Sequence, residues 1–381
     1  MIESKFPNIG TTIFTTMSAL AAEAGAVNLG QGFPDFGCDS RLPDMVSAAM
    51  RAGHNQYPQM AGVPALREAI ATKVGALYGK QYDPGAEITI TAGATQAIHT
   101  TLAAIVRTGD EVIIFEPVFD SYEPGIRMHG GVPVYACLNF PDYRPDWEQL
   151  RALITPRTRA VMINTPHNPT ATCWEQADFD QLAAILRETS IVVISDEVYE
   201  HMVYDGLPHL SVARHAELAE RAFVISSFGK TYHVTGWKVG YCMAPAILMA
   251  EFRKAHQFVV FTVNSPVQHG IANYMAFGTH LDLPSFYQKK RDFFLRLLAT
   301  SRLGWQPSRG TYFVSAAYGH LPEYRDMKDA AFAVWLTQKI GVACIPTSAF
   351  YHDQTDDHVV RFCFAKSLDT LALAAERLLK L

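Results

Sequence analysis

Residues 191–199 read Ile191-Val192-Val193-Ile194-Ser195-Asp196-Glu197-Val198-Tyr199. A β-branched run with no polar face, ending at an acid, describes a strand buried on both sides, as in a parallel sheet covered by helices. Outward from it the pattern repeats, with strand-like runs at Ile88–Thr91, Glu111–Phe115, Val132–Ala136, Ala160–Asn164, Ala222–Ser226 and Val239–Met243. Helical patterns such as Thr95–Ile105 and Ala177–Arg187 lie between several of them. The alternation predicts an α/β fold with a mostly parallel central sheet and helices on both faces. Ligands in such sheets bind beyond the carboxyl ends of the strands. Gly93-Ala94-Thr95, Asn168, Asp196 and Ser227 to Lys230 fall at those ends.

After residue 278 the pattern changes. Pro284 opens an amphipathic stretch, Ser285–Ala299, expected to be a helix linking domains. Strand-like runs at Thr311–Ser315, Val342–Ile345 and Val359–Phe364, with helical patterns at Ala330–Lys339 and Leu368–Leu379, predict a smaller α+β domain. The expected division is 34–278 for the large domain and 1–33 with 279–381 for the small one.

The 381 residues are 49% hydrophobic and 18% charged with net charge −5, enough for a large core. Mild acidity without a basic run argues against nucleic acid or an anionic membrane as partner. Cys38, Cys137, Cys173, Cys242, Cys344 and Cys363 show no paired short spacing, so they read as reduced thiols, and no metal site is expected. No apolar run approaches the ~20 residues that span a bilayer. The Ala-rich segment Ile13–Ala26 is interrupted by Thr15, Thr16 and Ser18, and Lys5 alone precedes it as a cation. It is not read as a secretion signal, and a cytoplasmic location is expected.

Chemistry concentrates in Ser226-Ser227-Phe228-Gly229-Lys230-Thr231 and Thr235-Gly236-Trp237-Lys238-Val239-Gly240-Tyr241. A lysine among small and hydroxyl residues can condense with a carbonyl once burial or a nearby cation frees its lone pair. Ser227 and Lys238 supply a hydroxyl and a second cation, suited to a phosphate beside that carbonyl. The turn Thr91 to Ala97 opens a helix with small residues, so Ala94 and Thr95 offer backbone N–H groups to an anion. Phe119 could stack on a flat ring. Pro169 restricts Asn168, presenting its amide to a ring hydroxyl. Asp196 at a buried strand end needs a cation, and a protonated pyridine nitrogen is one. Tyr199 could donate to the same ring. Each also has a plainer reading: an ordinary tight turn at 91–97, a core aromatic at 119, an Asx turn at 168 and a helix cap at 196. His167 reads as a local hydrogen-bonding residue, and Glu197 as structural or solvent-facing.

Taken together, Asn168-Pro169, Asp196 with Tyr199, Ser227 to Lys230 and Lys238 resemble the class I aminotransferases of the aspartate aminotransferase fold, along the whole chain. Asn28-Leu29-Gly30-Gln31-Gly32-Phe33-Pro34-Asp35-Phe36 and Asn55-Gln56-Tyr57 resemble in particular the bacterial methionine aminotransferase and kynurenine aminotransferase branch. The resemblance implies pyridoxal 5'-phosphate as cofactor and a ping-pong transfer from an amino acid to a 2-oxo acid. Lys230 would be the Schiff-base lysine and acid/base, and Asp196 the partner of the pyridine nitrogen. Asn168 and Tyr199 would bind the 3-oxygen, Phe119 would stack on the ring, and Ala94, Thr95, Ser227 and Lys238 would hold the phosphate. Arg361, in Val359 to Phe364, would grip the substrate α-carboxylate with help from the Gly32 backbone. Tyr57 would reach the phosphate in a neighbouring subunit, implying a homodimer. Relatives commonly carry glycine where this chain has Ala171; a positive φ there would strain the alanine mildly.

Dicarboxylate-specific relatives use a second arginine, but the corresponding stretch Phe258 to Pro266 holds no cation, although Arg253 and Lys254 lie nearby. With Ile13, Phe14 and Phe33 as expected pocket walls, methionine, phenylalanine, tyrosine, kynurenine or glutamine is the expected amino donor. A cysteine-S-conjugate β-lyase using the same lysine is the alternative within enzymes. A cofactor-binding regulator is the alternative outside them, but no basic patch or leading DNA-binding domain is evident.

Overall fold

The computed structural model describes residues 4, 6, 7 and 10–381. Its main sheet has eight strands in the spatial order Ile88–Thr91, Gly240–Met243, Ala222–Ser227, Val192–Asp196, Thr158–Asn164, Glu111–Glu116, Val132–Asn139 and Arg144–Pro145. From Ala222–Ser227 to Val132–Asn139 neighbours run parallel. Gly240–Met243 is antiparallel to both neighbours, as is the short edge strand to its one neighbour. The fold is therefore the expected α/β one with a mixed, mostly parallel sheet.

Alternate residues feed two different cores. Ile113, Val161, Ile163, Val193 and Val224 pack on one face with Leu66, Ile70, Phe179, Leu182 and Ile271 from the helices covering it. Ile114, Met162, Ile194 and Ile225 pack on the other with Ala97, Ile98, Leu102 and Phe252. Both faces being dry, the strands lack polar alternation, which is why they read as continuous apolar runs. Register then aligns their ends. Asn164 pairs with Asp196, Asp196 with Ile225, and Ser227 with Gly240.

A second, antiparallel sheet runs Gly304–Trp305, Phe313–Ala317, Val359–Cys363, Ile345–Pro346. Phe294, Leu298, Phe332 and Leu371 cover it, and Met17 and Leu29 from the start of the chain join that core.

Boundaries differ from the sequence reading where backbone geometry intervenes. Thr311 has φ +62° and donates its N–H to Met202 O at 2.9 Å, so the strand begins at Phe313. The run Val342–Ile345 splits: Val342–Ala343 pairs with Val27–Asn28, whereas Ile345–Pro346 joins the second sheet. The helix expected to reach Lys339 is α-helical over Asp329–Trp335 and widens to a π turn over Leu336–Ile340.

Candidate active site

Beyond the aligned strand ends lies a cavity of about 390 Å³. Of the residues expected at the site, Phe14, Gly32, Phe33, Ala94, Thr95, Phe119, Asn168, Asp196, Tyr199, Ser227, Lys230, Lys238 and Arg361 all line it. Tyr57 does not: it is 79% exposed, edge-on to Phe261 at 5.3 Å. Ile13 packs instead against the core of the second sheet.

Lys230 sits in a single helical turn, Phe228–Thr231, capped by Ser227 Oγ accepting from Gly229 N at 3.1 Å. Its Nζ donates to Gly32 O at 3.1 Å, a carbonyl that also accepts from the Tyr312 hydroxyl. Burial pushes the Lys230 amine down to about 8; Arg361 and Lys238 act in the same direction, while Cys363 and Asp196 oppose it. The amine therefore gives up its proton more readily than a solvated lysine.

Asp196 is buried, and its carboxyl is pushed up to about 6 by that burial. Tyr122 donates to Oδ2 at 2.6 Å and Val198 N to Oδ1 at 3.2 Å. No ion pair forms at this carboxylate among the described residues; Lys230 favours its charge only without direct contact. The strand carrying it is tied to the next: Asn164 Nδ2 donates to Asp196 O at 2.8 Å while Asn164 Oδ1 accepts from Asn168 N at 2.8 Å. His167 bonds locally to Thr170 Oγ1. Ala171 has φ +62°, the left-handed conformation expected to strain an alanine mildly, and its carbonyl accepts from Arg309 N and Gly310 N at 3.0 Å.

The turn after Asp196 is anchored from below. Glu200 is buried and accepts from Lys73 Nζ at 2.7 Å, Ser226 Oγ at 2.6 Å and the hydroxyls of Tyr78 and Tyr241 at 2.5 Å. Burial opposes its charge, but Lys73 and His201 outweigh this and hold the carboxyl well below the usual range. Glu197 is likewise structural, accepting from Ser195 Oγ at 2.8 Å and Val212 N at 3.0 Å.

At one end of the cavity the helix Gly93–Ile105 begins. Gly93 has φ +78°, and a methyl there would lie 3.5 Å from Lys238 Nζ, so first-turn N–H groups and the ammonium converge on one space. At the other end Arg361 is fully buried with Nη1 donating to Asn168 Oδ1 at 2.5 Å and Nη2 to Gly30 O at 3.2 Å. Its Nε finds no acceptor among the described residues, and the Phe313 ring lies 3.9 Å beneath the guanidinium. Burial lowers even this arginine to about 10. A buried cation bonded only to neutral oxygens is a receptor for an anion.

Sequence reasoning missed Tyr122, Asn164, Phe313 and Asp120 as cavity residues. Tyr122 stands three residues past Phe119, yet only the turn into the helix Tyr122–Met128 brings its hydroxyl to Asp196. No group of three or more His, Cys, Asp or Glu suited to a metal occurs among the described residues. No described helix is long and apolar enough to cross a membrane.

The family model for aminotransferase class I and II matches residues 24–378. The chain belongs to this family. The aminotransferase is 49% identical over 381 residues to the methionine aminotransferase of Escherichia coli, covering 100% of this chain and 98% of the relative. It is 35% identical to kynurenine–oxoglutarate transaminase 1 of Rattus norvegicus, covering 99% and 97%. The crystal structure of an Escherichia coli protein identified as a methionine aminotransferase superposes with TM-score 0.97 at full coverage of both chains. That of N-succinyldiaminopimelate aminotransferase from Mycobacterium tuberculosis gives 0.92 at 38% identity, also at full coverage of both. The enzyme is a pyridoxal-phosphate-dependent aminotransferase acting on amino acids and 2-oxo acids.

Proposed function

We propose that this aminotransferase takes a neutral amino acid with an apolar or aromatic side chain, with methionine or an aromatic favoured, and passes its amino group to a 2-oxo acid. Phenylalanine, tyrosine, kynurenine and glutamine complete the candidate donors. The observation that carries the reading is Arg361, a buried cation that lines the cavity bonded only to the neutral oxygens of Asn168 and Gly30, with Phe14, Phe33, Phe119 and Phe313 among the other lining residues. One carboxylate satisfies that cation. A second has no arginine to meet, because Arg253 donates to Thr89 Oγ1, Gly85 O and Ile88 O, and Lys254 pairs with Glu251 at 2.6 Å. The names of the Escherichia coli and kynurenine-converting relatives agree with this preference.

The residues fit the cofactor at each of its ends. The Gly93 helix start with Ala94, Thr95, Ser227 and Lys238 would hold the phosphate. Asp196, a buried carboxylate, would hold the proton of the pyridine nitrogen. Asn168 and Tyr199 would bind the 3-oxygen, and Phe119 would cover the ring. When bound, the cofactor supplies an electron sink for the bonds to the substrate Cα. Arg361 and the Gly32 backbone orient the α-carboxylate, and Lys230, with its lowered proton affinity, moves the Cα proton.

The same reading includes a cytoplasmic homodimer. The division into 34–278 and 1–33 with 279–381 has the small unit carrying Arg361 against a large unit carrying Lys230. Tyr57 would then serve the partner's site, consistent with its exposure beside Phe258, Val259 and Phe261. A screen of amino donors against several 2-oxo acids tests the substrate class: methionine or phenylalanine should exceed aspartate in kcat/KM, and the reverse order would overturn it.

A further inference from the structure

Asp120 follows Phe119 directly and lines the same cavity as Arg361, Phe14 and Phe33. Asp120 stands two residues before the helix Tyr122–Met128, ahead of its N-cap Ser121; Tyr122 N is satisfied by Phe119 O at 3.1 Å, and no capping bond to the Asp120 carboxylate forms. Its carboxylate is met by its own backbone N–H and forms no ion pair with another residue among the described residues. Asp196, the other acid in the cavity, is occupied by Tyr122 and Val198. Asp120 is exposed to solvent while Arg361 is buried, and the two sense each other: each favours the charged form of the other. The cavity thus holds one solvent-facing carboxylate with acceptor capacity left, lining the same space as the anion receptor.

We propose that Asp120 is a specificity-determining residue that excludes side-chain carboxylates and accepts a hydrogen bond from neutral polar side chains. The inference rests on the reading that Arg361 receives the α-carboxylate. Once that carboxylate is bound, the substrate side chain shares the remaining cavity with Asp120 and the aromatic walls. A second carboxylate there meets the like charge of Asp120, an exposed residue whose repulsion solvent partly screens. Methionine meets no such repulsion, and an amide or arylamine N–H gains an acceptor. Specificity then comes from a built-in repulsion as well as from missing attraction. Both half-reactions use one cavity, so the exclusion covers 2-oxo dicarboxylates as well as dicarboxylic amino acids.

The test compares loaded wild type with Asp120→Asn and Asp120→Ser by two readouts. The first is the ratio of kcat/KM for glutamate to that for methionine. The second is calorimetric binding of succinate and of 3-phenylpropanoate. Both variants should raise the glutamate-to-methionine ratio by about threefold or more and tighten succinate similarly, with 3-phenylpropanoate shifting much less. An unchanged ratio with unchanged succinate affinity would overturn the role of Asp120. Failure of the underlying reading looks different: wild type would prefer glutamate or aspartate, or Arg361→Ala would leave 3-phenylpropanoate binding intact.

Discussion

Tyr122 donates its hydroxyl to Asp196 Oδ2 at 2.6 Å, joining the loop that carries Phe119 to the strand that carries the buried acid. A hydrogen bond to a charged acceptor contributes about 1.5–3 kcal/mol, and here it holds a carboxylate that burial would otherwise neutralise. Tyr122→Phe should therefore slow the amino-donor half-reaction by roughly tenfold at neutral pH, measured by single-turnover absorbance. Wild-type rates in this variant would show the contact to be incidental.

Asp196 carries the clearest pH signature. Its carboxyl is raised from 3.8 to about 6, so the folded apo-protein binds a proton more readily than the unfolded chain. Stability is unaffected below the unfolded value, declines as pH rises from about 4 to 6, and stays reduced above that. The cost of the charged form is on the order of 2–3 kcal/mol. Asp196→Asn should then stabilise apo-protein at pH 7.5 but not at pH 4, in urea titrations, while crippling transamination. Equal stability of the two proteins at pH 7.5 would mean that the carboxylate is better solvated than its burial indicates.

Glu200 predicts the opposite sign. Removing it as Glu200→Ala leaves Lys73 buried without its partner and strips acceptors from Ser226, Tyr78 and Tyr241. A loss of about 3–5 kcal/mol in unfolding free energy is expected. A loss below about 1 kcal/mol would place the pair among ordinary surface contacts.

The fold and much of the site were legible for one reason: strands buried on both faces announce themselves as apolar runs, and the odd residues at their ends are then conspicuous. Asp196, Ser227 and Lys230 were found that way. Arg361 was not, because an arginine in a strand is usually exposed, and its assignment leaned on family resemblance. Tyr122 and Asn164 were illegible for a different reason. Their roles come from a turn and a side-chain bridge between strands, contacts with no periodic signature. Glu200 follows Tyr199 in sequence, but its partners Lys73 and Tyr241 lie 127 and 41 residues away.

Tyr57, Phe258, Val259 and Phe261 are exposed, and none lines the cavity of its own chain. Sedimentation equilibrium should find a dimer, and Phe258→Asp with Phe261→Asp should weaken it and lower activity together. A fully active monomer would remove Tyr57 from the site.

The central assignment is Lys230, and the most direct measurement is peptide mapping after borohydride reduction of the loaded protein. The pyridoxyl mass is predicted on the peptide containing Lys230. Lys230→Ala should lose both that label and transamination while keeping the wild-type circular dichroism. A pyridoxyl group on another lysine, or undiminished turnover by Lys230→Ala, would contradict the account.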